Sequence, residues 1–267
     1  MLRLACITLA VAALAWANAG CRSDRPDVAS QRPMRLSLSR YRPIELAAFT
    51  VHIHPDAERD TLRYRRVRAA LLGDLEAIAA RIPAPALAVL RESAIVVTPE
   101  SAPRPGFSGR GMCFHESAAW LTENGFDAAR EGAVEVCDMD DYLLWRAEQP
   151  MMTFHELAHA FHWRLGFDRR DVTAAHAAAR DAGLYRGVAY ALAADGETRD
   201  AYALVNHKEY FAELSEACFG RNDYFPFTRD DLRVYDPTGL GVVERLWNLS
   251  ADGIARDRRV AIPTRER

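Results

Sequence analysis

The spacing of apolar residues changes character several times along the chain, and each change marks an expected element. Leu4 to Trp16 is a continuous apolar run after one early charge at Arg3, and small residues continue to Gly20. A run this short cannot span a bilayer, so 1–20 is expected to be an export signal. Residues 21–43 are rich in Arg, Ser and Pro with no sustained apolar period, which predicts a flexible tether. From Ile44 the pattern becomes that of a folded body. Residues 46–53 alternate as a strand closed by Pro55, with His52 and His54 on its solvated face, and 58–81 carries Leu62, Val67, Leu71, Leu75 and Ile78 at helical spacing.

Pro83 and Pro85 open a short helix to Arg91, 94–98 is a second strand, and 99–111 is a Pro/Gly-rich loop. Strand-like segments follow at 112–115 and 134–137, with a helical turn over 142–147. A strongly apolar helix begins just after Pro150 and stops at Gly166. Residues 172–181 are alanine-rich and helical, and 183–201 is a loop with a strand pair around 188–192. A helix over 208–219 ends at Gly220. Thr228 with Asp231 forms a capping pair, and Asp236-Pro237 opens a last helix containing Val243, Leu246 and Trp247. The predicted class is α+β: one domain over 44–251, with an N-terminal part (44–148), a C-terminal part (149–251) and a charged tail at 252–267.

Charge adds one exclusion. A net charge of −3 over 267 residues gives no electrostatic footprint for nucleic acid, and no nucleic-acid partner is expected. Cys21 after Ala19-Gly20 resembles the bacterial lipoprotein signal, in which that cysteine becomes the lipidated first residue and anchors the protein to a membrane of the cell envelope. Asn18 stands where that signal prefers Leu, and Ala17-Asn18-Ala19 also fits ordinary signal-peptidase cleavage, which would release a soluble protein. Export permits a disulfide: Cys113–Cys137 is the pairing to test, two unpaired buried thiols being the alternative.

Chemistry concentrates in His155-Glu156-Leu157-Ala158-His159. Histidines four apart share a helical face and can reach one zinc ion, while the glutamate beside the first points at the open coordination position. A catalytic zinc site needs a third protein ligand. The metzincin solution requires Gly three residues and His six residues after the second motif histidine; His162 and Leu165 stand there. Glu209, Glu213 and Glu216 instead line one face of an otherwise apolar helix, and a buried carboxylate stripe needs a compensating cation. On spacing alone, Glu209 and Glu213 can exchange roles. His162 is expected to be a neighbour of the site, His207 lies close to the glutamate helix, and His115 could line a groove.

The stretch Ala201-Tyr202-Ala203-Leu204-Val205-Asn206-His207-Lys208-Glu209-Tyr210-Phe211-Ala212-Glu213, together with the histidine motif, resembles the anthrax lethal factor-type metallopeptidase domain, a gluzincin of zincin-like fold. The resemblance covers roughly 150–220. It implies His155, His159 and Glu209 as zinc ligands, Glu156 as general base, Tyr202 as the phenol stabilising the oxyanion, and Glu213 as a carboxylate orienting a ligand histidine. Zinc lowers the pKa of its bound water from 15.7 to about 7, so Glu156 can take the proton as the water attacks a peptide carbonyl.

The expectation is therefore an exported zinc metallopeptidase of the bacterial cell envelope, acting on a peptide or protein substrate. A non-catalytic zinc-binding lipoprotein and a zinc amidase acting on cell-wall material are the alternatives.

Overall fold

The alternating segment at 46–53 is divided between two strands. In the computed structural model, which describes residues 37–101, 107–193 and 196–247, β1 (Arg42–Leu46) turns through Ala47 and Ala48 into β2 (Phe49–Ile53). Both alanines have positive φ, 49° and 64°. Such a turn matches the twist of paired antiparallel strands, but it is usually made by Asn-Gly, so Ala-Ala conceals it. The folded body also starts earlier than Ile44: Leu38 and Tyr41 are buried and pack, with Ala133, on Val96. Residues 37–43 thus belong to the body, whereas the expected export signal over 1–20, Cys21 and the tail at 252–267 lie outside the described residues.

β2 runs parallel to β3 (Ile95–Val97), which runs parallel to β5 (Val134–Val136), and β4 (Met112–Phe114) closes the far edge antiparallel to β5. The order is β1-β2-β3-β5-β4. Every residue of β3 and β5 is buried, as a parallel centre covered on both faces requires. Val51, Ile53, Ile95, Val97, Val134 and Val136 form one core with the apolar stripes of α2 (Thr61–Ala79), α3 (Ala84–Leu90), α5 (Met139–Glu148) and α6 (Met152–Leu165). A separate short helix, α1 (Pro55–Arg59), precedes α2. His54 caps it, its Nδ1 accepting from the Asp56 N–H at 3.0 Å, so this histidine's work is structural. α4 (Ala118–Glu123), capped by Ser117, fills a stretch that apolar periodicity left unassigned.

The C-terminal part contributes α7 (Arg170–Asp181), a two-residue ribbon of β6 (Val188–Ala189) and β7 (Thr198–Arg199), then α8 (His207–Phe219), α9 (Arg229–Tyr235) and α10 (Pro237–Trp247). Both arms of the expected Thr228–Asp231 capping box are formed. α6 and α8 run antiparallel: Phe154 meets Phe219 at one end (5.8 Å between ring centroids), and His162 meets Phe211 toward the other (4.7 Å). Trp247 of α10 locks the pair. Its ring stacks on Phe161 at 4.0 Å and 9°, and its Nε1–H donates to Ser215 Oγ at 2.8 Å. Asp236 accepts from the hydroxyls of Tyr185 (2.9 Å) and Tyr210 (2.5 Å), fastening α8 from behind.

The architecture is α+β, with ten helices and a small mixed sheet among the described residues. None of those helices is long and apolar enough to cross a membrane.

Candidate metal centre

α6 is apolar over most of its circumference, and burying Phe154, Leu157, Ala158 and Phe161 rotates His155 and His159 together toward α8. α8 starts where the Asn206 side chain accepts from the backbone N–H groups of Lys208 (2.8 Å) and Glu209 (3.0 Å), which fixes Glu209 in the first helical turn. The two helices thereby bring three ligand atoms together. His155 Nε2 lies 3.1 Å from His159 Nε2 and 3.1 Å from Glu209 Oε2, and His159 Nε2 lies 3.4 Å from Glu209 Oε2. A tetrahedral zinc ion with bonds of 2.0–2.1 Å separates its ligand atoms by about 3.3 Å. The triangle therefore has the edges such an ion requires, and its atoms are the nitrogen and oxygen donors zinc takes.

Electrostatics carries the same signature. Burial works against protonating His155, yet hydrogen bonds to Glu209 and Glu216 hold its pKa well above the ordinary imidazole value. Burial likewise works against the Glu209 carboxylate, but His159 and His155 hold it well below the usual range. A site that draws a proton onto His155 so strongly attracts positive charge in general.

The carboxylate that orients His155 is Glu216. Its Oε1 lies 2.5 Å from His155 Nδ1, on the ring edge opposite the triangle. Glu213, expected in that role, instead accepts from Asn222 Nδ2 at 3.0 Å, and burial together with neighbouring Glu216 pushes its pKa well above the carboxylate range. Since Glu209, Glu213 and Glu216 share one helical face, spacing could not choose between them. The choice follows from the antiparallel pairing of α6 with α8, which sets His155 beside the C-terminal half of α8.

Glu156 is half-buried beside His155, and its carboxylate has no hydrogen bond or ion pair among the described residues. Tyr202 lies in a single turn of 3-10 helix (Tyr202–Leu204) packed on α8 and is 47% exposed. Burial, then the charges of Glu209 and Glu213, raise its pKa, so the phenol is within electrostatic reach of the α8 carboxylates. It also begins an aromatic wall: Tyr202 and Tyr224 are 6.0 Å apart, and Tyr224 and Tyr190 4.7 Å. Tyr190 sits in the loop after β6, where sequence patterning gave no sign of it.

Three other histidines stand apart from the triangle. His162 is fully buried against Phe167 and Phe211, and burial, then His159 and His207, depress its pKa to about 3. His207 faces Asp168 at 3.8 Å. His115 lines no groove; it is buried, with Nε2 2.6 Å from Glu135 Oε2.

That last contact belongs to a second polar cluster, absent from the expectations above. On the sheet face away from α6, the fully buried Glu135 also takes Arg130 Nη1 at 2.6 Å and the Thr98 hydroxyl, and Arg130 Nη2 donates to Tyr41 at 2.5 Å. The one legible sign was a glutamate inside the apolar run Val134-Glu135-Val136-Cys137. Cys113 and Cys137 lie beside it as free thiols, their sulfurs 3.1 Å apart. Compared with known protein families, curated proteins and solved structures, the chain matches none.

Proposed function

We propose that this chain is an exported zinc metallopeptidase of zincin-like fold, hydrolysing peptide bonds, with residues 1–20 as its export signal and Cys21 as a lipid anchor in the bacterial cell envelope. The convergence of His155, His159 and Glu209 carries the proposal, because their ligand atoms already stand at the mutual distances of a tetrahedral zinc ion. The paired helices α6 and α8 beneath a small mixed sheet support the zincin-like assignment. Half-exposed Tyr202 and unpaired Glu156 favour catalysis over a purely structural metal site, which needs neither.

Bound by these three residues, zinc supplies a Lewis acid and a water acidified to a pKa of about 7. Glu156 accepts the proton of the attacking water and passes it to the leaving amine, a role typically contributing 10²–10⁴-fold in rate. Tyr202 donates its hydroxyl to the oxyanion, and its raised pKa keeps that proton in place at neutral pH. Glu216 accepts from His155 Nδ1–H and so leaves the Nε2 lone pair directed at the triangle.

The test is mass-spectrometric cleavage of a diverse peptide library by zinc-loaded protein beside Glu156→Gln. Cuts that fall by about 10²–10⁴-fold in the variant, at unchanged zinc content, are expected. A folded, zinc-loaded protein that cuts no peptide, or cuts equally well without Glu156, overturns the peptidase assignment.

A further inference from the structure

Cys113 and Cys137 sit on neighbouring strands of the sheet face turned away from the metal triangle. Cys113 is directly opposite Glu135 in the β4–β5 ladder, and the Cys137 N–H donates to the Gly111 carbonyl at 2.9 Å, which ties the two backbones beside the sulfurs. The sulfurs are 3.1 Å apart, so closing to a disulfide bond of 2.03–2.05 Å needs a movement of about 1 Å. Their settings differ. Cys113 is partly exposed at the sheet edge, with His115 Nε2 3.7 Å from its sulfur, whereas Cys137 is fully buried.

The same His115 nitrogen also meets Glu135, so the imidazole cannot relay a proton between two ring atoms; it acts as a fixed positive charge. The charged and titratable groups acting on the pair are His115 just after β4, Glu135 on β5, Arg130 in the preceding turn and Tyr41 before β1, with Glu156 of α6 also acting on Cys137. We propose that Cys113 and Cys137 form a two-electron thiol–disulfide switch in which Cys113 is the attacking sulfur, Cys137 the resolving one, and a small disulfide of the glutathione class the oxidant.

The step balances. The Cys113 thiolate attacks one sulfur of the small disulfide, forms a mixed disulfide and expels the first thiolate. Cys137 gives its proton to that thiolate and attacks Cys113 Sγ, making the protein disulfide and expelling the second. This second thiolate takes from solvent the proton that Cys113 released on ionising, and His115 keeps its own against Glu135. Two protein thiols are oxidised and one disulfide is reduced to two thiols. Supporting the order of attack, the Cys137 hydrogen bond and the His115 charge outweigh burial and lower the Cys113 pKa to about 7, while burial raises that of Cys137. Cys218, raised to about 11 chiefly by burial, is the internal control.

The experiment treats full-length protein with oxidised glutathione and maps cysteines by mass spectrometry. A Cys113–Cys137 cross-link reversed by reduced thiol is expected in the wild type, with a persistent glutathione adduct on Cys113 in Cys137→Ser and no adduct on Cys137 in Cys113→Ser. Iodoacetamide labelling of the wild type, which needs no variant to fold, should modify Cys113 first, with a midpoint at about pH 7. In His115→Asn the labelling rate at pH 7 should fall, by about fifteenfold for a full return from a pKa near 7 to a free thiol near 8.5 and by less to the extent that the Cys137 hydrogen bond still holds the thiol down. Labelling of Cys137 or Cys218 ahead of Cys113, or no cross-link in oxidised glutathione, overturns the proposal.

Discussion

At the scale of single residues, the sharpest distinction lies between two glutamates one turn apart. Glu216 touches the ring edge of His155 opposite the metal triangle, whereas Glu213 is turned to Asn222. Removing a carboxylate that orients a ligand histidine typically costs 10–100-fold in metal affinity. Glu216→Gln should therefore weaken zinc binding by about that factor in competition with a chelator, and Glu213→Gln should leave it essentially unchanged; the reverse ranking would return the orienting role to Glu213. His162 offers a second contrast. Neither of its buried ring nitrogens has a hydrogen-bond partner among the described residues, and replacing a buried unpaired polar group by an apolar one of similar shape removes a desolvation cost. His162→Leu is expected to raise the unfolding free energy by about 1 kcal/mol. It should also flatten the acid limb. The native pKa of about 3 lies below the ordinary 6.5, so the unfolded chain binds the extra proton and stability falls as pH drops from 6.5 toward 3. Denaturant midpoints of wild type and variant across that interval measure both effects.

Among the elements, α8 joins sequence to site most directly. Asn206 caps it by accepting from Lys208 and Glu209, so one side chain both starts the helix and fixes the backbone of Glu209, the proposed third ligand. Asn206→Ala should cost about 1 kcal/mol and shrink the rise in melting temperature on adding zinc, while Asn206→Ser should keep both. A full zinc-dependent rise in the alanine variant would separate the cap from the site. This helix was legible because its apolar residues, its carboxylates and Gly220 agree on one period and one end, and α6 was legible for similar reasons between Pro150 and Gly166. The β1–β2 hairpin was hidden because alanines occupy a positive-φ turn that carries its signal in asparagine and glycine. α4 was hidden because only Leu121 is fully buried, which leaves no stripe to read. The two histidines and a carboxylate from α8 could be anticipated from residue types and spacing, while Glu209 as that carboxylate was implied only by the family resemblance. The orienting carboxylate could not, since it depends on which part of α8 lies against His155, a property of the packed pair.

Across the whole molecule, stability and its pH dependence turn on the buried chain Tyr41–Arg130–Glu135–His115, which joins the N-terminal segment to the centre and edge of the sheet. Breaking a buried pair by removing one partner typically costs 3–5 kcal/mol because the other charge stays buried. Glu135→Leu should lose about that much through the stranded Arg130. The two titrating ends act on opposite sides of neutrality. Burial opposes the Glu135 charge, but His115 and Arg130 lower its pKa from 4.5 to about 2, so its contribution is complete above 4.5 and disappears as pH falls toward 2. Burial also opposes protonation of His115, but Cys113 and Glu135 raise its pKa from 6.5 to about 10, so its contribution is complete below 6.5 and disappears as pH rises toward 10. The difference in denaturant midpoint between wild type and His115→Asn should then be largest below pH 6.5 and shrink steadily to pH 10. Oxidising Cys113 removes one of the charges that holds the His115 proton, so the same difference should close at lower pH in the cross-linked protein than in the reduced one. A gap independent of both pH and oxidation would mean that His115 serves the sheet as a neutral hydrogen-bond donor, with no charge for the neighbouring thiol to sense.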